Sequence, residues 1–323
     1  MTLSELSQHS PFEEYRVDQV LTLNVIPEHG HTLSSSQIRV QVRQLHSPRT
    51  LSCPIIVDIL DEGQLPKTAF LKLFDRRFAD QLREDYGIGP WTKDTEEAYI
   101  RSIQSGAIRR FLHDLHNVED FLEDTGEDWD NAQNEAFLAD ELLKLYKAET
   151  ATYNALHNHQ GHLVPRLLAA VDLNLTPSNV EEPSQREDLD LFHVKGILLE
   201  YVEGFSLSDI HDRCPRSAWQ NIVGQAIAIV NVLGDQNILN QDVRPENFMV
   251  SAKKDDKYQV YMIDFGQCRL RRKDESESEW GRAKFNQDEE GAVGLVMKKM
   301  LGDHGFELHY EISERYVEWA EGE

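Results

Sequence analysis

The sequence predicts an α+β protein organised as two lobes. Two observations lead there. Up to Glu203, segments of strand character surround a single long amphipathic helix. After Gly204 the chain becomes mostly helical, with only two short strands. A third observation, the lack of any internal repeat, removes solenoids and propellers from consideration.

Residues 1–19 read as a polar leader. The segments "VLTLNVI" and "IRVQVRQL" alternate apolar and polar residues, as half-buried strands do, and "PEHGHTLSSSQ" joins them as a polar loop. "TAFLKLFD" (Thr68–Asp75) is the next strand, after the turn "DEGQLPK". Residues 76–134 are charge-rich, with helical periodicity in pieces, and read as a large insertion that is either a lid or substrate wall or a decoration. "EAFLADELLKLYKAETATYNAL" (Glu135–Leu156) spaces its apolar residues by three and four and predicts a helix. "LVPRLLAAVDL" and "FHVKGILLEYV" follow as strands on either side of an acidic loop. The second half of the latter is nearly all apolar, as a strand buried on both faces requires.

Residues 20–203 therefore form the first lobe and residues 204–323 the second. In the second lobe "SLSDIHDRC" opens on a serine suited to capping a short helix. "RSAWQNIVGQAIAIVNVLGDQN" reads as a long, mostly buried helix. "NFMVS" and "QVYMIDF" are two short strands separated by the turn "AKKDDK". Asp288–Leu301 and Glu307–Trp319 are both expected to be helical.

Of the 323 residues, 40% are hydrophobic and 28% charged, an ordinary globular composition, but the net charge of −24 is not ordinary. Phosphate-rich surfaces would be repelled over most of such a molecule, so neither a nucleic acid nor a membrane is expected as a partner. Cys53, Cys214 and Cys268 are far apart and form no C-x-x-C pair, which suits a reducing compartment. The first residues show no basic region followed by an apolar stretch, and no apolar run is long enough to span a bilayer. A cytoplasmic or nuclear location is the expectation. His157, His159 and His162 have metal-like spacing, yet no carboxylate or cysteine stands beside them, and they read as a polar loop.

The chemistry is concentrated in "NQDVRPENFMV" (residues 240–250) and "MIDFG" (residues 262–266). With "AFLKLFD", "YKAETATYNAL" and "GILLEYVEG" ahead of them, these motifs stand in the order found in the protein-kinase-like superfamily. The chain resembles that superfamily from about Val20 to Leu301, and in detail a group of fungal kinase-like proteins. The resemblance implies a two-lobed protein-kinase-like fold: an antiparallel N-terminal sheet with helix C, then a reduced, mostly helical C-terminal lobe. Such reduced lobes occur in aminoglycoside and choline kinases and in RIO-type kinases.

The resemblance also implies roles for single residues. Asp242 would accept or orient the proton of an attacking hydroxyl, and Arg244 would place positive charge near the transferring phosphate. Asn247 and Asp264 would hold Mg²⁺, for which oxygen ligands are the right type. Lys72 would hold the non-transferring phosphates of ATP, with Glu149 as its ion-pair partner. Glu200 to Val202 would offer backbone groups to adenine. These roles suit phosphoryl transfer, which is mostly positioning and charge stabilisation.

Three departures stand against the pattern. The loop between the first two strands carries one glycine, Gly30, and three serines where a glycine-rich turn is expected. Asn240 replaces a histidine that packs against the D-F-G region, and keeps donor and acceptor capacity. No A-P-E element or long activation segment follows "MIDFG", and Asp288 is the residue expected to brace the catalytic loop. The expected function is ATP- and Mg²⁺-dependent transfer of phosphate to a hydroxyl acceptor, a protein Ser/Thr or a small molecule. The alternative is a silent nucleotide-binding pseudokinase or scaffold.

Overall fold

The computed structural model describes residues 10–27, 35–46, 50–61, 65–177, 190–255 and 257–320. The architecture is α+β, and the chain divides into two compact units. The first comprises residues 1–146 and 168–199; the second comprises residues 147–167 and 200–323.

Six strands form the frame of the first unit: β1 (Val20–Val25), β2 (Gln37–Leu45), β3 (Cys53–Ile59), β4 (Thr68–Leu73), β5 (Leu167–Asn174) and β6 (His193–Glu200). They close into a barrel in the order β1-β2-β3-β4-β6-β5, and the β1–β2, β2–β3, β3–β4 and β1–β5 pairings are antiparallel. The alternation read from β2 is the cause of its register. Ile38, Val40 and Val42 point inward, and Leu21 and Leu23 of β1 face Val40 and Ile38. These side chains join Ile55, Val57, Leu71, Leu73, Val171 and Leu198 in one core. Gly196 of β6 lies so close to Leu73 and the Lys72 carbonyl that a Cβ there would collide with both. β3 is buried almost continuously and contains Pro54, so it lacks the alternation that reveals a strand.

Residues 76–134 form a helical layer: α1 (Asp80–Asp85), α2 (Lys93–Gln104), α3 (Ala107–Asn117) and α4 (Phe121–Thr125), leading into α5 (Asn131–Ala155). This layer has its own core of Tyr99, Ile100, Ile103, Ile108, Phe111 and Phe137, with the Trp129 ring edge-on to Phe111 at 4.9 Å. A buried ionic network fastens it. Arg76 donates to Glu96 at 2.8 Å and to Glu135 at 2.5 Å, and Arg83 donates to both oxygens of Glu135 at 2.8 Å. The Arg76 guanidinium also stacks 3.9 Å from the Tyr99 ring.

The second unit holds a three-stranded sheet in the order β10-β9-β7, made of β7 (Phe205–Ser206), β9 (Phe248–Ala252) and β10 (Tyr258–Met262). It also holds the two-stranded pair β8 (Ile238–Asn240) with β11 (Cys268–Leu270). Its helices are α6 (Ile210–Arg213), α7 (Arg216–Asp235), α8 (Glu277–Gln287) and α9 (Glu289–Asp303). α7 buries Trp219, Ile222, Val223, Ala226, Ile229, Val230 and Leu233, the three-and-four spacing of a helix facing a core. Gln225 extends that face to the sheet, donating to the Tyr258 carbonyl and accepting from the Val260 N–H.

Two features differ from the sequence expectation. Residues 147–167 cluster with the second unit, where the Leu163 carbonyl accepts the Met262 N–H at 2.9 Å and Gln259 donates to the His162 carbonyl, also at 2.9 Å. The helix expected over Glu307–Trp319 is absent. Leu308 and Tyr310 are buried on either side of exposed His309, a period of two, and only Val317–Trp319 makes a single 3₁₀ turn. Among the described residues no helix is long and apolar enough to cross a membrane.

A buried cluster beside β4 gives the first unit a defined acid limit. Burial pushes the Asp75 carboxyl up, but the charge and hydrogen bonds of Arg77, with a hydrogen bond from Tyr15, outweigh it and hold it at about 2. A depressed carboxyl stabilises the folded form above its unfolded pKa, about 4, and the contribution fades as pH falls through the folded value. We expect Asp75→Asn to be less stable than wild type by about 2 kcal/mol at pH 7, with the difference shrinking between about pH 4 and 2. Urea melts across that range measure it; a difference independent of pH would refute the assignment.

Candidate functional site

The second unit gathers most of the candidate residues, and a hairpin does so. β9 and β10 are antiparallel with Phe248 opposite Met262, so the residues flanking that pair, Asn247 and Ile263, are brought together. The Ile263 N–H donates to the Asn247 carbonyl at 2.8 Å, and Asp264 is next in the chain. Asp264 has a left-handed backbone, φ 67°, and its carboxylate accepts the Gly266 N–H at 3.3 Å. Asn247 sits in the 3₁₀ turn Pro245–Asn247 and donates its side-chain amide to the Asp242 carbonyl at 2.7 Å and to Asp242 Oδ2 at 3.0 Å. Both partners are acceptors, so the amide nitrogen must face Asp242 and Oδ1 must point the other way. Asp242, Asn247 and Asp264 therefore belong to one small neighbourhood.

Arg244 is half-exposed, with its guanidinium 3.3 Å from Asp242 Oδ2. The first residue of the loop does more than fill space. Asn240 is fully buried, and its Oδ1 accepts the Asp242 N–H at 2.8 Å, which sets the direction of the loop. Asn240 pairs with Cys268 across β8 and β11, and the Gln241 N–H donates to the Gln267 carbonyl, so the loop of residues 240–247 is stitched to the segment after "MIDFG".

The brace of the loop is Glu289, one residue beyond the one expected. Glu289 Oε1 accepts the Asn240 N–H at 2.7 Å. Asp288 instead caps α9 with a left-handed backbone and accepts the Gly291 N–H. Three consecutive polar positions, Asp288 to Glu290, look alike in sequence; the cap takes the first and turns only the second inward. Glu289 is paired in turn with the buried ammonium of Lys284, which also donates to the Ile238 carbonyl at 3.1 Å. Burial lowers the Lys284 pKa and raises that of Glu289, since desolvation penalises both charges.

Glu149 is buried on α5, in the part of that helix that belongs to the second unit. Its charge acts on its neighbours there. Burial, then Glu149 and Asp264, push the Tyr153 hydroxyl well up; burial, then Glu149, Glu289 and Asp264, do the same to the Cys268 thiol. The Tyr153 ring meets Phe265 edge-on at 5.2 Å. Glu200 is held by Arg166, whose guanidinium reaches both carboxylate oxygens at 3.1 Å, and its own N–H donates to the Arg166 carbonyl. Val202 is half-buried between exposed Tyr201 and Glu203.

Lys72 belongs to the first unit, buried on β4 opposite Pro54, with its ammonium 5.5 Å from the Phe74 ring centroid. Gly30 lies outside the described residues.

No family model matches the chain. Serine/threonine-protein kinase 1 of Heliothis zea nuclear polyhedrosis virus is 30% identical over 77 residues, which cover 23% of this chain and 27% of that protein. The match spans about a quarter of the length of that relative. It supports a kinase-like relationship for part of the chain.

The Lys284–Glu289 pair generates a stability prediction. Lys284→Met leaves a buried carboxylate without its counter-charge and is expected to cost about 3 kcal/mol or more. Adding Glu289→Gln should recover part of that loss, because the charge goes while a carbonyl still accepts the Asn240 N–H. Denaturant melts of the single and double variants decide it; a double variant weaker than the sum of both losses would contradict the pairing.

Proposed function

We propose that this chain is a phosphotransferase that moves the γ-phosphate of ATP to a hydroxyl acceptor with Mg²⁺. The observation that carries the reading is the orientation of Asn247. Its nitrogen is committed to Asp242, which leaves the amide oxygen turned away from Asp242 in the neighbourhood that the Asn247–Ile263 backbone bond shares with Asp264. One amide and one carboxylate oxygen are the ligand types Mg²⁺ takes from a protein when phosphates and waters complete its shell. Bound there, the ion would supply charge neutralisation on the phosphate oxygens. Asp242 has one oxygen tied to Asn247 and Arg244, which fixes the carboxylate plane and points the group for work on an acceptor hydroxyl. The partial likeness to a viral serine/threonine-protein kinase points the same way.

A second reading, a nucleotide-binding module without turnover, draws on Asn240. Its side-chain Nδ2 is buried without a hydrogen-bond partner, a cost of the kind that accompanies a replaced functional group.

Nucleotide binding and turnover separate the two readings. Asp264→Asn should weaken ATP affinity only when Mg²⁺ is present, measured by titration calorimetry with and without the ion. Asp242→Asn should leave affinity nearly intact and lower turnover by about a hundredfold or more, as loss of a general base does. Arg244→Ala should fall between wild type and Asp242→Asn. Asn240→His should change turnover by less than about tenfold, roughly 1.4 kcal/mol of barrier. Wild type that binds Mg·ATP without turnover on any acceptor, while Asn240→His gains it, would establish the second reading instead.

A further inference from the structure

The segment Leu308–Trp319 crosses α7, α8 and α9 as a strap, and aromatic side chains hold it there. Tyr310 lies on Gly294 of α9, and Trp319 on Gly281 of α8, each too close for any Cβ on the glycine. Tyr316 has a left-handed backbone, φ 66°, and its hydroxyl approaches Gly234 of α7. Arg315 adds a polar anchor, donating to Asn231 Oδ1 at 2.6 Å and pairing with Asp235.

Tyr316 also reaches the buried pair behind the catalytic loop. The Lys284 ammonium sits 5.8 Å from the Tyr316 ring centroid and 5.8 Å from that of Trp280, so it has an aromatic ring on two sides. Its hydrogen bonds go to Glu289 and the Ile238 carbonyl, and Glu289 holds the Asn240 N–H. Beside the pair is a cavity of about 260 Å³, lined by Lys284, Glu289, Phe285, Ile312 and Tyr316. Tyr316 is therefore the strap residue that lines this space together with Lys284 and covers one flank of the ammonium. With the ring gone, water gains Lys284, the local dielectric rises and the pull of Lys284 on Glu289 weakens.

We propose that Tyr316 is a positioning residue for the catalytic loop, acting through Lys284 and Glu289 on the backbone of Asn240. The strap thereby governs how firmly Asp242 and Asn247 are presented. The effect on turnover rests on the phosphotransferase reading; the effect on the loop does not.

The test uses the full chain with Tyr316→Leu, which keeps apolar bulk without a ring, and Tyr316→Phe, which keeps the ring. Hydrogen exchange of the peptide covering residues 238–247 is followed beside that of α7. In Tyr316→Leu the loop amides should exchange about tenfold faster or more while α7 stays protected. Turnover at saturating ATP should fall with the KM for ATP unchanged, and Tyr316→Phe should behave as wild type in both measurements. Unchanged loop exchange in Tyr316→Leu overturns the proposal. So does faster exchange spread equally through α7, since that marks a merely structural residue. A wild type without turnover whose loop exchange still responds to Tyr316→Leu overturns the phosphotransferase reading and leaves the strap coupling standing.

Discussion

The second unit depends on one buried hydrogen bond, from the Asn240 N–H to Glu289. The loop from Asn240 to Asn247 is a stretch of irregular backbone, and irregular backbone keeps its shape only if its polar groups are satisfied one by one. Asn240 does this in two directions: its N–H is held by Glu289, and its side chain captures the Asp242 N–H. From Asp242 the order passes to Asn247 through the side-chain amide, and from Asn247 to Ile263 through the backbone. A carboxylate is a strong acceptor, but burying it requires a counter-charge, and Lys284 supplies that. The loop of residues 238–247 and the consecutive helices α8 and α9, later in the chain, thus share one electrostatic arrangement.

The first unit solves a similar problem with arginines. Residues 76–134 are rich in charge, and most such stretches lie in solvent. Here Arg76, Arg83, Glu96 and Glu135 are buried together, and every charge meets an opposite one at hydrogen-bond distance. Planar guanidinium groups suit this work, because Arg76 bridges two carboxylates and still lays its face on Tyr99. Such a network gives up little stability relative to apolar packing only while it is complete. It fixes the helical layer in one geometry.

Periodicity made much of this legible. β2, β4, β9, β10, α5 and α7 lie where alternation or three-and-four spacing puts them, because each presents one face to a core, and β6 lies where its apolar run puts it. What periodicity missed has physical causes. β3 is buried on both faces and interrupted by Pro54, so its pattern is flat. Residues 307–319 have helix-like composition, but aromatic-on-glycine contacts with α7, α8 and α9 hold the chain extended, and tertiary packing overrides propensity. In the candidate site, motif spacing located Asp242, Asn247 and Asp264 in one neighbourhood, since a two-strand hairpin converts fixed spacing into proximity. The choice between Asp288 and Glu289 was not legible, because it turns on which carboxylate caps the helix. Lys284 carried no local signal at all; its role comes from contacts with residues 46 positions back and five ahead.

The charge distribution bears on the proposed chemistry. Asp242, Asp264, Glu149 and Glu289 all act within the second unit of a chain that carries a net charge of −24. After burial, Glu149 and Asp264 push the Tyr153 hydroxyl up, and Glu149, Glu289 and Asp264 push the Cys268 thiol up. Of these carboxylates, Glu289 is neutralised locally by Lys284, and Asp242 is partly offset by Arg244. A triphosphate approaching this neighbourhood alone would meet repulsion that a half-exposed arginine does little to relieve. A divalent cation reverses the sign of that interaction, because carboxylate and phosphate then share one positive centre. Under the proposed function the metal is accordingly a condition for nucleotide binding as well as for transfer, and an acidic chain of this kind is consistent with phosphate chemistry only in its company.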